Sequence, residues 1–216
     1  MGVAELDKEN RHLHLMAQIF FYGDASGETL SREIANNIQL HWNEPQASVL
    51  INGVRYKVVF TIHGMHAPFL KPTDIYENDL PYNNYFRVEE YSNIDISFVD
   101  DIGSNTGYLK LANLLNNSTT AAHEFGHTLG LIHPHQLDIR GAGTPGIMYP
   151  RGTIVDTHFQ YDPAAAPATK GGTLNPIYRK VLQQDIDNLR LDKLIFNKNN
   201  QAVVGEFSSV WHDKHL

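Results

Sequence analysis

The chain has 216 residues, a formal charge of -7, twelve histidines, 42% apolar residues and no cysteine. That length supports one sizeable hydrophobic core, and the composition is globular, which excludes a disordered, fibrous or membrane-embedded protein. No stretch concentrates Lys and Arg, so the electrostatic footprint of a nucleic-acid binder is missing, and without thiols any metal must be held by nitrogen and oxygen.

Residues 1–10 carry Glu5, Asp7, Lys8 and Glu9 with no apolar run behind them, so they read as an extension and not as a signal peptide. No segment has the length and apolarity of a membrane span. The protein therefore works in the cytoplasm, leaves by a leaderless route as a secreted effector would, or is a trimmed mature domain.

Arg11 to Tyr22 mixes alternating and continuous apolar residues and predicts a first strand buried largely on both faces. Leu30, Ile34, Ile38, Leu40 and Trp42 form a helical stripe over Thr29–Trp42, with Ser26 or Thr29 as the cap. Ala47–Ile51 and Val54–Ile62 flank Asn52-Gly53, the signal of a tight hairpin. The proline-rich stretch from Gly64 to Asn84 reads as a loop, Tyr85–Glu89 as extended and Ile94–Val99 as a strand. Thr106–Ala112 is short and half polar, and its lysine marks it as an edge strand. A helix capped by Ser118 or Thr119 is expected to run to Gly130; beyond a loop-rich stretch, Tyr178–Ile195 resumes a helical period. Residues after Asn197 read as a tail or one extra strand.

The first of these two helices carries His123-Glu124-Phe125-Gly126-His127-Thr128-Leu129-Gly130-Leu131-Ile132-His133, the pattern H-E-x-x-H-x-x-G-x-x-H. Four residues along a helix bring His123 and His127 onto one face, where both imidazoles reach one ion. Glu124 is turned by roughly 100° from His123, beside the metal but not aimed at it, which suits a general base. Gly130 takes a positive φ without penalty and turns the chain back so that His133 becomes the third ligand. Three imidazoles with a free fourth position describe a catalytic zinc site, since a structural one fills all four.

Residues 121–134 resemble the zinc helix of metzincin proteases, and among these most closely that of matrixins. Gly146-Ile147-Met148-Tyr149-Pro150 resembles the Met-turn, whose methionine forms an apolar floor under the ligands, and Tyr149 stands where it is not a metal ligand. Leu182 to Asp187 resembles the start of the matrixin terminal helix, which gives Asp185 the role of bonding to the Met-turn backbone. The resemblance implies an α+β, two-lobed catalytic domain. A twisted mixed sheet with two helices forms the N-terminal lobe, the zinc helix lies at the cleft, and the Met-turn and terminal helix form the C-terminal lobe. The domain would span residues 11–198, with lobes 11–133 and 134–198, followed by a tail over 199–216.

The implied activity is zinc-dependent cleavage of a polypeptide with Glu124 as general base to a metal-activated water, in a monomer. Substrate would lie antiparallel along the edge strand, against Tyr108, Leu109 and Lys110, with Tyr149 near the pocket. A protein of the same fold that binds metal without cleaving is the competing reading. Asp100 and Asp101 beside Gly103 offer oxygens suited to Ca2+, which matrixins commonly hold, although a solvated acidic turn is the commoner use. His63, His66 and His158 lie in or beside loops near the expected cleft. His12 and His14 stand two apart on one strand face, the spacing of a second metal pair, though ordinary surface or core histidines are commoner there.

Overall fold

Alternation along His12–Tyr22 (β2) sends Leu13, Leu15, Ala17, Ile19 and Phe21 to one side, and all five are buried. The opposite side, beginning with His12 and His14, is only half-buried, so this strand has one core face where the sequence suggested two. In the computed structural model, which describes residues 1–162 and 172–216, β2 is the centre of an eight-stranded mixed sheet.

Gly2–Asp7 (β1) pairs antiparallel with the first half of β2, while Asn83–Glu89 (β5) pairs parallel with its second half. Val54–His66 (β4) runs parallel to β2 on its other side and is joined to Ser48–Ile51 (β3) by a two-residue turn. Asn52 and Gly53 both have positive φ, 48° and 79°, which is the backbone of a type I′ turn. Beyond β5 come Thr106–Lys110 (β7), parallel, and Phe98–Val99 (β6), antiparallel, so the strand order is β3-β4-β2-β5-β7-β6. Gln201–Val204 (β8) adds to the free side of β1.

At the N-terminus the expectation changes, while at the C-terminus the extra strand is present. Residues 1–10 are not an extension outside the fold, because β1 buries Ala4 and Leu6 in the core. The region after Asn197 supplies β8 and then a strap: Trp211 stacks on Tyr22 with ring centroids 4.8 Å apart, and His215 on Tyr108 at 3.8 Å.

Helix α1, Glu28–Asn43, lies on the core face and buries Ile34, Ile38 and Trp42. Its N-cap is Gly27, with no side-chain cap; the Ser26 hydroxyl donates to Gly23 O instead (2.7 Å). Pro72–Tyr76 forms a short helix (α2) inside the segment expected to be loop, started by a proline at a helix-compatible position. Trp42 connects α1 to helix α3, Thr120–Thr128, where its indole donates to Ala122 O at 3.0 Å and its ring meets Phe125 edge-on.

The terminal helix is shorter than its periodicity suggested. Helix α4 covers only Gln183–Asn188, because Arg190 takes a left-handed conformation (φ 52°) and breaks the run. Likewise only Phe98–Val99 of the expected Ile94–Val99 strand pairs, and Ile94 and Ile96 are exposed. Among the described residues no helix is long and apolar enough to cross a membrane. Class and layers are thus α+β: a mixed sheet with few helices.

Candidate metal centre

Helix α3 ends in a Schellman turn. Leu131 N donates to Gly126 O and Gly130 N to His127 O, both at 3.0 Å, while Gly130 sits at φ +99°. A side chain at Gly130 would be strained there, and the reversal brings His133 back over the helix. His133 Nε2 then lies 3.1 Å from both His123 Nε2 and His127 Nε2.

The Nδ1 atoms fix the tautomers. His123 Nδ1 is 2.7 Å from Ile147 O, and His127 Nδ1 is 2.7 Å from Leu131 O; carbonyls only accept, so each Nδ1 carries the proton and each Nε2 presents a lone pair. His123 Nε2 and His127 Nε2 thus both turn a lone pair toward His133 Nε2, 3.1 Å from each. Their spacing matches the N···N edge of about 3.3 Å that a tetrahedron with metal–nitrogen bonds of about 2.0 Å requires. The donor set fits a divalent ion, and His133 is exposed on the cleft side.

Burial holds these histidines neutral. It pushes His123 well below the ordinary imidazole value and His127 down to about 4, and it lowers the less buried His133 as well. Glu124 is 6% exposed, borders the same cleft and has no hydrogen-bond partner among the described residues. Burial pushes its carboxyl up to about 8, against the opposing pull of the Arg179 and Arg151 guanidiniums.

Beneath the helix, Met148 is buried, and Gly126 has no room for a larger residue above it: a Cβ there would meet Met148 Sδ at 2.4 Å. Asp185 bonds to the Ile147 amide and accepts from Leu182 N at 2.8 Å, which ties α4 to the loop carrying Met148. Burial raises the Asp185 carboxyl to about 6.

Several expected roles fall elsewhere. Strand β7 is not the edge, since β6 covers its outer side; Tyr108 and Leu109 are buried, and Lys110 pairs with Asp95. The cleft is bordered instead by Ile96–Val99 and Ile102 on one side and Pro150 and Arg151 on the other. Tyr149 packs away from it, against Ile139, Val155 and Leu174. The Asp100 carboxylate is taken by His212 Nε2 (2.8 Å) and the Thr106 hydroxyl, and Asp101 accepts from Ile102 N at 2.7 Å. His63, His66 and His158 do not border the cleft. The segment from Met148 to about Thr173, expected to face the zinc helix across the substrate pocket, lies partly outside the described residues, over 163–171.

Arg179 is the site residue that sequence reasoning missed. It is 3% exposed, and its Nε donates to Thr119 Oγ1 (2.9 Å) and its Nη1 to Tyr149 O (3.1 Å). Nη1 also lies 3.0 Å from His123 Nδ1, but that proton already goes to Ile147 O, so the contact is charge beside a dipole and not a bond. Burial lowers the guanidinium to about 10, partly offset by Glu124. The Thr119 hydroxyl, expected to cap α3, donates to Pro176 O at 2.6 Å, and Ser118 Oγ accepts from Thr120 N at 3.2 Å instead. Arg179 had no motif around it: it stands beside Lys180 at the start of the stretch read as a helical period, and no local signal sets it apart.

No protein-family model matches the chain, and no curated protein matches it. A solved structure described as "Structure of a chaperone-substrate complex" is similar over 82% of this chain and 34% of that one, with 14% identity and a TM-score of 0.38. This chain thus spans well under two thirds of that one, and the likeness is too loose to carry an argument.

Proposed function

We propose that the chain is a zinc-dependent endopeptidase of the metzincin kind, its α+β domain forming the two lobes around the cleft. The observation that carries the reading is His133 Nε2 lying 3.1 Å from both His123 Nε2 and His127 Nε2 beside a buried Glu124 with no hydrogen-bond partner among the described residues. His123, His127 and His133 would hold the ion, which when bound would supply Lewis acidity toward a peptide carbonyl and toward water.

The remaining work belongs to the chain. The Glu124 carboxylate takes the proton of the attacking water and returns it to the leaving amine. Ile147 O and Leu131 O hold two imidazoles in the ligating tautomer. Strand β6 ends the sheet order, so the extended polypeptide substrate pairs along Phe98–Val99 and not along β7. Met148 supports α3 from below, and Asp185 anchors the backbone beside Met148.

The test is cleavage of a casein-type substrate by wild type, by Glu124→Gln and by wild type stripped with a chelator and resupplied with zinc. Loss of at least about a hundredfold in the variant, with the fold and bound zinc retained, is expected for a general base. Cleavage unchanged in Glu124→Gln, or indifferent to the chelator, would overturn the reading.

A further inference from the structure

The β1–β2 hairpin carries a second cluster with the donor chemistry of a metal site, unrelated to the cleft. His12 and His14 are two apart on β2, so both project from the face opposite Leu13 and Leu15. Across the antiparallel ladder Asp7 faces His12 directly and Glu5 faces His14. One carboxylate oxygen of Asp7 and one ring nitrogen from each histidine lie within 4.8 Å of one another.

The three donors are free to converge. The imidazoles stand edge-on, with centroids 5.5 Å apart and planes at 87°, so they are not stacked, and neither ring hydrogen-bonds to any described residue. Asp7 is already oriented: Asn10 donates to its carboxylate through its backbone N (2.9 Å) and its Nδ2 (2.8 Å). Each carboxylate oxygen keeps a lone pair for a further partner. Those two bonds, the backbone one first, also hold the Asp7 carboxyl below its ordinary value, so it is an anion at neutral pH.

Glu5 accepts from Gln201 Nε2 at 2.8 Å and adds a second negative charge along the same row. Lys57, which faces His12 from β4, is exposed. A paired strand fixes the Cα positions of all three donors, so an ion here needs little reorganisation beyond side-chain rotation.

We propose that Asp7, His12 and His14 bind a divalent transition-metal ion of zinc's class, with water completing the shell. Two imidazoles and one carboxylate suit zinc, nickel or copper and not calcium, which prefers oxygen alone. The ion would clip β1 to β2 at the turn end of the hairpin.

Zinc chloride titrated calorimetrically into chelator-stripped full-length chain tests this. Wild type should take up two ions, one lost in His12→Gln/His14→Gln and the other in His123→Gln/His127→Gln, with circular dichroism unchanged. Asp7→Asn should weaken the hairpin ion by about tenfold or more. Equal uptake by wild type and His12→Gln/His14→Gln, or unchanged affinity in Asp7→Asn, overturns the proposal. A single ion that survives His123→Gln/His127→Gln but not the hairpin variant leaves this proposal standing and removes the metalloprotease reading instead.

Discussion

A β-carbon on Gly126 would stand 2.4 Å from Sδ of Met148, so α3 rests on the loop beneath it at a distance only glycine allows. The same β-carbon would lie 3.2 Å from Cζ2 of Trp42, which blocks the other way out. Gly126→Ala should therefore cost about 1–3 kcal/mol through overpacking. In a Met148→Ala background the added methyl enters the vacated space, so the two effects should be less than additive. Urea midpoints of the four proteins read this coupling, and strict additivity would show that the helix does not rest on Met148.

Two kinds of group in the metal-free site titrate in opposite senses and pull stability in opposite directions as pH changes. Folding lowers the imidazoles, His127 to about 4 and His123 further, so below 6.5 the unfolded chain binds more protons and stability is lost as pH falls. Folding raises Glu124 from 4.5 to about 8, so its contribution is full below 4.5 and is lost as pH rises through 8. Asp185, raised to about 6, acts in the same sense as Glu124 below pH 6, and the buried Met1 ammonium, lowered well below its ordinary value, acts against Glu124 up to pH 8, so the part due to Glu124 is read as the difference between wild type and Glu124→Gln. From pH 6.5 to 8 wild type should lose about 1–2 kcal/mol relative to the variant. A difference that stays constant over that range would assign the titration to another group.

The motif was readable because helix spacing alone brings His123 and His127 together, and because Gly130 has a single evident use, the left-handed turn. The Asn52-Gly53 hairpin was readable for the same local reason. What stayed hidden depended on long-range partners. Nothing near Thr106–Lys110 announces that Phe98–Val99 covers it, and an exposed Ile96 looks in sequence like any strand residue. Asp7 and His12 are close enough in sequence to suggest a turn, yet their direct register is a property of the ladder. Arg179 meets Thr119 and Tyr149 across 60 and 30 residues, separations no local pattern encodes.

Arg179→Met should raise the Glu124 titration further. The guanidinium favours the Glu124 anion, and Arg151, the other cation acting on that carboxyl, is exposed and bonded to Asn113 Oδ1 at 2.9 Å. Without Arg179 the carboxyl should protonate at still higher pH than about 8, which a carboxyl-carbon NMR titration of metal-free protein detects directly. The variant also leaves Tyr149 O without its donor, a cost of about 1–3 kcal/mol for a buried acceptor. An unmoved Glu124 titration in a folded variant would mean that the buried charge is screened from the cleft.

The C-terminal strap should control the order of the cleft's upper rim. His212 reaches the Asp100 carboxylate at 2.8 Å, His215 Nδ1 accepts from Asn93 N at 3.2 Å, and Ser208 N donates to Asn105 Oδ1 at 2.9 Å. All three contacts fall on the segment that frames β6, and Trp211 secures the strap on Tyr22. Removal of residues 207–216 leaves β8 and its pairing with β1 untouched, so the sheet should still form. The segment from Asn93 to Asn105 would then lose its outer support while Gly103, bonded to His127 O at 2.7 Å, stays fixed at one end. Amide exchange in the truncated protein should rise by at least about tenfold over residues 93–102 and little in α3, since local opening follows local contacts. Equal protection of this segment with and without the strap would show that its order comes from β7 alone.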